Sequence, residues 1–409
     1  MALAALISAC RTVAESEDLR ALLPVAGHTL IEHQARLAVR GGADHVVVLV
    51  ERLPADLVAA IDRLRHGGVN VEIARTLSEA IGRIPSEDRL LLIADGFVGS
   101  DRLVARVAEA QGQAILTVPD NAAHARFERI DATARWGGLL LLDGQRLRQV
   151  SEMLGDWDLE STLLRRAVQD GAARLPAEEG GAEGPPRLIE QTGDLDELDA
   201  LLFAASSHER SGSDWPQRYL YPAAERIAVP PLLRRTVEPG WLTIGAAGAT
   251  WCAALLALAG WRGPALFLLL LSGPLTAVAE RLAATRLIDS RETGLLGRAR
   301  AAGAVAALLA LIWRMEPAAG WGVWPLALLL LLGMAALIGE RRVLARLSDG
   351  TVPSWLASLD GLILMLLPFA LAGYWLTGIA MLVIYAAVSL FAVQREVAVR
   401  LAVLPHHED

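Results

Sequence analysis

The chain has 409 residues, 54% of them hydrophobic and 5% aromatic, and its mean hydropathy of +0.39 is too high for an ordinary soluble enzyme. Residues 1–212 hold 22 arginines against 33 acids and residues 213–409 hold 16 against 13, which predicts a soluble acidic half followed by a membrane half. Lysine is absent and only two cysteines are present, which excludes Schiff-base chemistry, a P-loop lysine and a disulfide framework.

The first residues, MALAALISAC, are predicted to form a buried β-strand. The alternative is a lipoprotein signal, because Ile7–Cys10 resembles a cleavage box behind an apolar run. No arginine or lysine precedes that run, whereas signal peptides have a positive first region. The sequence therefore favours the strand.

Short continuous apolar runs alternate with helical patterns up to about residue 205. Such runs are typical of strands buried on both faces, and they occur at 44–51, 89–96, 113–119 and 137–144. A helical pattern with glycines that end it covers 29–42. The alternation predicts an α/β domain over 1–205 with a mostly parallel sheet, whose strand ends carry any ligand site.

The next segment, 206–240, joins this domain to the membrane part. It mixes tryptophan, tyrosine, arginine and proline immediately before a long apolar run, and it is predicted to contain a helix lying in the lipid headgroup layer. An ordinary linker is the alternative, which the apolar side formed by Ile227, Leu232 and Leu233 disfavours.

Six apolar stretches in 241–409 are long enough to be predicted as transmembrane helices. They are 241–260, 263–279, 295–313, 322–338, 355–374 and 375–393. Arginines concentrate on one side of these stretches, and the opposite loops carry only Arg262 and Arg314. The positive-inside rule then places both termini in the cytoplasm of a bacterial-type inner (plasma) membrane.

A resemblance is visible in the first half. The segment Leu19–Glu51 resembles sugar-phosphate and inositol-phosphate nucleotidyltransferases, which implies a GT-A-like fold. It also implies that Arg20 contacts nucleotide phosphates in the place of the family's lysine and that Asp95 holds Mg²⁺. The place of the second metal aspartate is taken by Ile189 and Gln191, and the glycine-rich loop is missing. For Asp95 the alternative is a residue that merely ends a strand.

The whole chain resembles the bifunctional enzymes that fuse an inositol-phosphate cytidylyltransferase to a CDP-alcohol phosphotransferase. The phosphotransferase motif, D-x-x-D-G-x-x-A-R-x₈-G-x-x-x-D-x-x-x-D, aligns with Thr276–Ala304. Its four acidic places are occupied by Ala277, Glu280, Arg298 and Ala302, and its first glycine by Arg281. An arginine neither binds Mg²⁺ nor acts as a base at neutral pH, so the resemblance implies a degenerate member.

Two interpretations of the arginines in this stretch remain. In the first, the polar cavity of the related enzymes survives as a site for a phosphate or headgroup, formed by Glu280, Arg281, Arg286, Arg298 and Asp360, with Asp360 paired to an arginine such as Arg298. In the second, the arginines only keep a loop on the cytoplasmic side, and Asp360 is a structural residue near a helix end that reaches the interface.

Three functions are consistent with these patterns. The first is an active enzyme that makes a CDP-activated polyol or transfers a phosphoalcohol, with Mg²⁺ as cofactor. The second is a pseudoenzyme that binds a CDP-linked or phosphorylated headgroup, or supports an intact paralogue, and the erosion of both acidic sites favours it. The third is an anion transporter. Resemblance and the small residues of Gly245–Gly260 predict a homodimer or heterodimer among membrane lipids, and no feature indicates nucleic acid.

Overall fold

The structure is a computed structural model, which describes residues 2–13, 16–151, 158–177, 185–195, 198, 201–202, 214–233, 235, 237–288, 291–347 and 353–403. Contacts divide the chain into two compact units. The α/β unit comprises Met1–Ser206 together with Thr285–Ile288, and the helical unit comprises Ser207–Ala284 together with Asp289–Asp409.

The described residues of the α/β unit form eleven strands. In chain order they are β1 (Leu3–Ser8), β2 (Pro24–Val25), β3 (His28–Thr29), β4 (His45–Leu49), β5 (Val71–Ala74), β6 (Arg89–Ile93), β7 (Phe97–Val98), β8 (Ala114–Pro119), β9 (Ala134–Asp143), β10 (Ala173–Pro176) and β11 (Arg187–Leu188). Seven of them form one sheet in the order β10-β8-β9-β6-β1-β4-β5, while β2 pairs with β3 and β7 with β11.

The main sheet is mixed. Four of its pairings are parallel, and β9 runs antiparallel to both β6 and β8. Residues Ala4–Ile7 of the interior strand β1 are fully buried, as the continuous apolar run requires. The predicted α/β architecture and its strands are therefore confirmed, with one antiparallel strand that the apolar runs did not reveal.

Six α-helices have bounds within the described residues of this unit. They are α1 (Leu30–Arg40), α2 (Ala55–His66), α3 (Leu77–Arg83), α4 (Asp101–Ala108), α5 (Gly144–Ser151) and α6 (Leu159–Gln169). After β1 the chain builds β4 and β5 on one side, and it then returns to place β6 on the other side of β1. Strands β1 and β6 are thus a topological switch point, the place where ligands bind in open α/β sheets.

The helical unit begins with a π-helical turn, Pro216–Leu220, which leads into the next helix. Its helices are α7 (Tyr221–Leu233), α8 (Pro239–Leu258), α9 (Arg262–Thr285), α10 (Arg291–Trp313), α11 (Glu316–Ala319), α12 (Val323–Leu347), α13 (Leu359–Leu371) and α14 (Trp375–Val403). Five contain segments that are long and apolar enough to cross a membrane: Pro239–Leu258, Arg262–Thr285, Gly294–Trp313, Val323–Leu344 and Trp375–Arg400.

The fifth predicted span differs from the other five. Its helix, α13, has only 13 residues. At 1.5 Å per residue such a helix is about 20 Å long, which is shorter than the roughly 30 Å of a bilayer's hydrocarbon core. The expected span of 355–374 was too long because an irregular segment, 353–358, precedes the helix.

Small residues of α8 allow close packing inside this unit. Ala253 and Ala257 share a buried cluster with Ala304 and Ala307 of α10. A Cβ on Gly303 would collide with the side chain of Thr250, so the two helices approach closely there. The small residues of α8 that face α10 are therefore used within the chain.

Candidate functional site

Asp95 lies directly after β6, at the switch point. Gly96 has a φ of +89°, which turns the chain there and suits glycine. The Asp95 side chain is 2% exposed. Its Oδ2 accepts a hydrogen bond from the backbone N–H of Arg11 at 2.8 Å, which links the carboxyl ends of β6 and β1. Among the residues that the structure describes, its buried Oδ1 has no hydrogen-bond partner.

A second carboxyl group stands beside Asp95. The backbone N–H of Asp95 donates to Oε1 of Glu160 at 2.9 Å, and Glu160 is 4% exposed. Glu160 comes from the first turn of α6, whose N-terminal cap is Asp158. The Asp158 carboxylate accepts from the Glu160 backbone N–H at 3.0 Å, so the cap fixes where Glu160 begins.

Two arginines face these acids. Nη2 of Arg11 lies 2.8 Å from Oδ2 of Asp158 and 3.6 Å from Oε2 of Glu160. Arg20 is 8% exposed and lies over the turn after Asp95, because a Cβ built on Gly96 would be 3.0 Å from its Cδ. Nη1 of Arg20 lies 3.9 Å from Oε1 of Glu190, and its buried Nε has no hydrogen-bond partner within the part of the chain that the structure describes.

Burial dominates the electrostatics of the two carboxyl groups. It raises the pKa of Asp95 to about 6, although the Arg11 N–H and the charges of Arg20 and Arg11 act in the opposite direction. It raises the pKa of Glu160 to about 7, against the lowering effect of the Asp95 N–H and of Arg11. Both groups therefore hold protons over part of the near-neutral range.

The segment expected at the second metal position does pass Asp95. The Ile189 N–H donates to the Gly96 carbonyl at 2.8 Å, and β11 pairs with β7 beside it. Ile189 is buried and supplies no ligand atom, and the neighbouring acid, Glu190, is directed to Arg20. The second carboxyl group at Asp95 comes from Glu160 instead.

The site around Asp95 presents both negatively and positively charged groups to a ligand. The unpartnered Oδ1 of Asp95 accepts from a donor or binds a cation, whereas the guanidinium groups of Arg11 and Arg20 suit phosphate. Within the residues the structure describes, no group of three or more His, Cys, Asp or Glu side chains is placed to hold a metal ion. A Mg²⁺ ion, which accepts one or two carboxylates, would take its other oxygens from ligand or water.

Sequence reasoning named Arg20 and Asp95, which the structure brings together, but it did not name Arg11, Asp158 and Glu160, which lie beside them. The signals were present: Arg11 follows the first strand by three residues, and the Asp-x-Glu of 158–160 begins a helix. Neither signal identifies a site unless it is known that the end of β1 and the start of α6 both lie beside the end of β6.

The helical unit contains a separate buried polar cluster. Nη1 of Arg300 lies 2.9 Å from Oδ1 of Asp360 and 3.3 Å from Oγ of Ser272. Tyr221 of α7 interacts with Asp360 and packs on Gly273, where only a hydrogen atom leaves room for its hydroxyl. The cluster joins α7, α9, α10 and α13, and its ion pair provides buried Asp360 with a partly buried cation.

The irregular segment before α13 has its polar groups satisfied by neighbours. The Ser354 carbonyl accepts from the Trp215 N–H at 2.8 Å, and the Trp355 carbonyl accepts from the Tyr385 hydroxyl at 2.7 Å. The Ala357 N–H donates to Oγ of Ser389 at 2.9 Å. This is the condition under which non-helical backbone is tolerated at membrane depth.

The structure gives Asp360, one of the residues proposed for a phosphate site, a different partner from the expected one. The partner of Asp360 is Arg300 rather than Arg298, which is exposed. Glu280 is exposed and Arg281 is buried in the helical unit. Arg286 belongs to the α/β unit, where its Nε donates to the Ala26 carbonyl at 2.7 Å. The two-residue shift from 298 to 300 changes the helix face, because each residue advances the direction of the side chain by about 100°.

Neither a scan against known family models nor a search of curated proteins returned a match for this chain.

Proposed function

We propose that this chain is a membrane-anchored, catalytically degenerate relative of the fused cytidylyltransferase and CDP-alcohol phosphotransferase enzymes, and that its α/β unit binds a phosphorylated, nucleotide-type ligand with little turnover. The observation that carries the proposal is the arrangement at the switch point. Arg20 and Asp95 lie together at the ends of β1 and β6, with Arg11 beside them.

Low turnover is expected from what surrounds Asp95. The glycine-rich loop that would supply backbone N–H groups is absent from Ile7–Gly27. The half-exposed Arg11 side chain pairs with Asp158, so a guanidinium occupies part of the acidic site. A guanidinium neutralises phosphate charge but does not replace a metal ion coordinated to the phosphates.

A second candidate function rests on Glu160. If Asp95 and Glu160 together bind Mg²⁺ in the presence of a triphosphate, the chain is an active nucleotidyltransferase with a relocated second ligand. Both candidates bind a nucleotide, but only the second releases substantial pyrophosphate from it.

The test uses the purified full chain in lipid nanodiscs, with cytidine triphosphate as the probe. Binding is measured by calorimetry with Mg²⁺ and with EDTA, and pyrophosphate release is measured with inositol phosphate or glycerol phosphate as acceptor. We expect binding that survives EDTA and little pyrophosphate. Substitution of Arg20 by glutamine should weaken binding at least several-fold, since a charge-assisted contact contributes on the order of 1.5–3 kcal/mol.

Arg102→Gln, an exposed arginine of α4, is the matched control and should leave binding unchanged. Robust pyrophosphate release that Asp95→Asn and Glu160→Gln both abolish would establish the second candidate. Absence of nucleotide binding under both conditions would refute both.

A further inference from the structure

Helix α7 has two distinct faces. Tyr221, Glu225, Val229 and Leu233 recur every four residues and are buried. Ile227 is 78% exposed and Tyr219, in the preceding turn, is 68% exposed. A large aromatic and a large aliphatic side chain are therefore presented outward on a segment whose other face is already packed.

The outward face carries only positive charge. Arg218 and Arg226 are exposed, and the Arg218 guanidinium carbon lies 5.8 Å from the centroid of the Tyr219 ring. The two acids of 214–233 do not offset them, because Asp214 pairs with Arg341 at 3.3 Å and Glu225 is 4% exposed. Guanidinium groups beside an aromatic ring and an aliphatic side chain are typical of helices that lie at a lipid interface.

Chain connectivity keeps this face near a bilayer. Helix α7 ends at Leu233 and α8, a candidate span, begins at Pro239. The five intervening residues reach at most about 20 Å when fully extended. The opposite face is held by Tyr221 on Gly273 of α9, another candidate span.

We infer that the outward face of α7 binds anionic phospholipid headgroups of the bilayer that the helical unit crosses. Tyr219 and Ile227 lie at the boundary between headgroups and acyl chains, and Arg218 and Arg226 bind lipid phosphates. The inference does not depend on the proposed nucleotide site, since it rests on residues of the helical unit alone. Each arginine near a membrane surface contributes about 1 kcal/mol toward anionic lipid.

The experiment places a fluorophore at the centre of this face. Ile227→Cys is made in a full chain with Cys10→Ser and Cys252→Ser, and is labelled with an environment-sensitive dye. The protein is reconstituted in nanodiscs of phosphatidylcholine alone or mixed with phosphatidylglycerol. We expect blue-shifted emission and quenching by lipid-borne quenchers, both greater with phosphatidylglycerol and reduced by salt.

Retention of lipids is measured in parallel by native mass spectrometry. Arg218→Gln with Arg226→Gln should lower the preference for phosphatidylglycerol roughly 30-fold, the equivalent of about 1 kcal/mol per arginine. Arg102→Gln with Arg165→Gln removes the same charge from exposed sites of the α/β unit and should not change it. Equal retention in both double variants would overturn the inference, as would quenching only by a soluble ion. Protection from both classes of quencher would also overturn it, because a protein partner would then cover the face.

Discussion

The carboxyl groups of Asp95 and Glu160 are both buried, and each keeps its proton to a higher pH than in an unfolded chain. The ordinary pKa values of 3.8 and 4.5 rise to about 6 and about 7. At pH values between the ordinary and the raised pKa of each group, the folded state binds more protons than the unfolded state. The free energy of unfolding of the α/β unit therefore falls as the pH rises from about 4 to about 7.

Glu160→Gln should remove the larger part of this pH dependence. Glutamine retains the acceptor that the Asp95 N–H needs, but it has no charge to desolvate. We expect the variant to be more stable than the natural protein at pH 8, by on the order of 2 kcal/mol, and similar to it near pH 4. Hydrogen exchange at β1 and β6 of the purified full chain measures the effect.

Glu109→Gln alters an exposed glutamate of the same unit and serves as the control. If Glu160→Gln is less stable than the natural protein at pH 8, then Glu160 is ionised and favourably paired, and the explanation by burial is wrong.

At the scale of elements, the side chain of Tyr221 in α7 packs directly against Gly273 in α9. Gly273→Ala places a methyl group against the Tyr221 hydroxyl, and overpacking of this kind costs about 1–3 kcal/mol. We expect α7 to detach more readily, which limited trypsin digestion at Arg218 and Arg226 will report. Gly245→Ala meets no atom within 4 Å and should not increase cleavage. Unchanged cleavage in Gly273→Ala would contradict the packing described.

Long elements with a strong apolar pattern could be predicted from sequence. The direction of a strand in the sheet and the length of a short helix could not. The strands predicted at 44–51 and 89–96 are continuous apolar runs, and that composition was enough to identify them. The direction of β9 was not predictable, because a buried run has the same composition in either orientation. The short α13 was missed because residues 355–358 are apolar enough to extend a hydropathy window, although Tyr385 and Ser389 satisfy their backbone.

The same limit explains the candidate site. Asp95 could be predicted from its place after an apolar run. Glu160 could not, because its position beside Asp95 depends on where α6 begins in space. In the helical unit the sequence allowed a pairing of Asp360 with an arginine such as Arg298, but the choice between Arg298 and Arg300 depends on the rotation of α10.

For the whole molecule, self-association remains a prediction that the structure refines. The buried side of α8 packs within the chain, so a dimer interface along this helix would use its exposed side. Gly245, Gly248, Cys252 and Leu255 are exposed there at spacings of three and four residues. In native membranes of a Cys10→Ser variant, bismaleimide should cross-link Cys252 between two copies.

The control moves the thiol to another side of the same helix, with Leu258→Cys in a Cys252→Ser chain. It should give markedly less cross-linked dimer. Monomer alone with both thiols would count against association along α8, and equal cross-linking would indicate random collision.

The segment Thr285–Ile288 makes the α/β unit discontinuous, although the helices on either side of it belong to the helical unit. Arg286 is 1% exposed and donates to Ala26, and Leu287 packs against the sheet's core. A fragment ending near residue 205 would lack a piece of its own interior. The α/β unit therefore cannot be exchanged or truncated at the linker without loss. Either change would remove Thr285–Ile288 and leave a gap in the interior of the α/β unit.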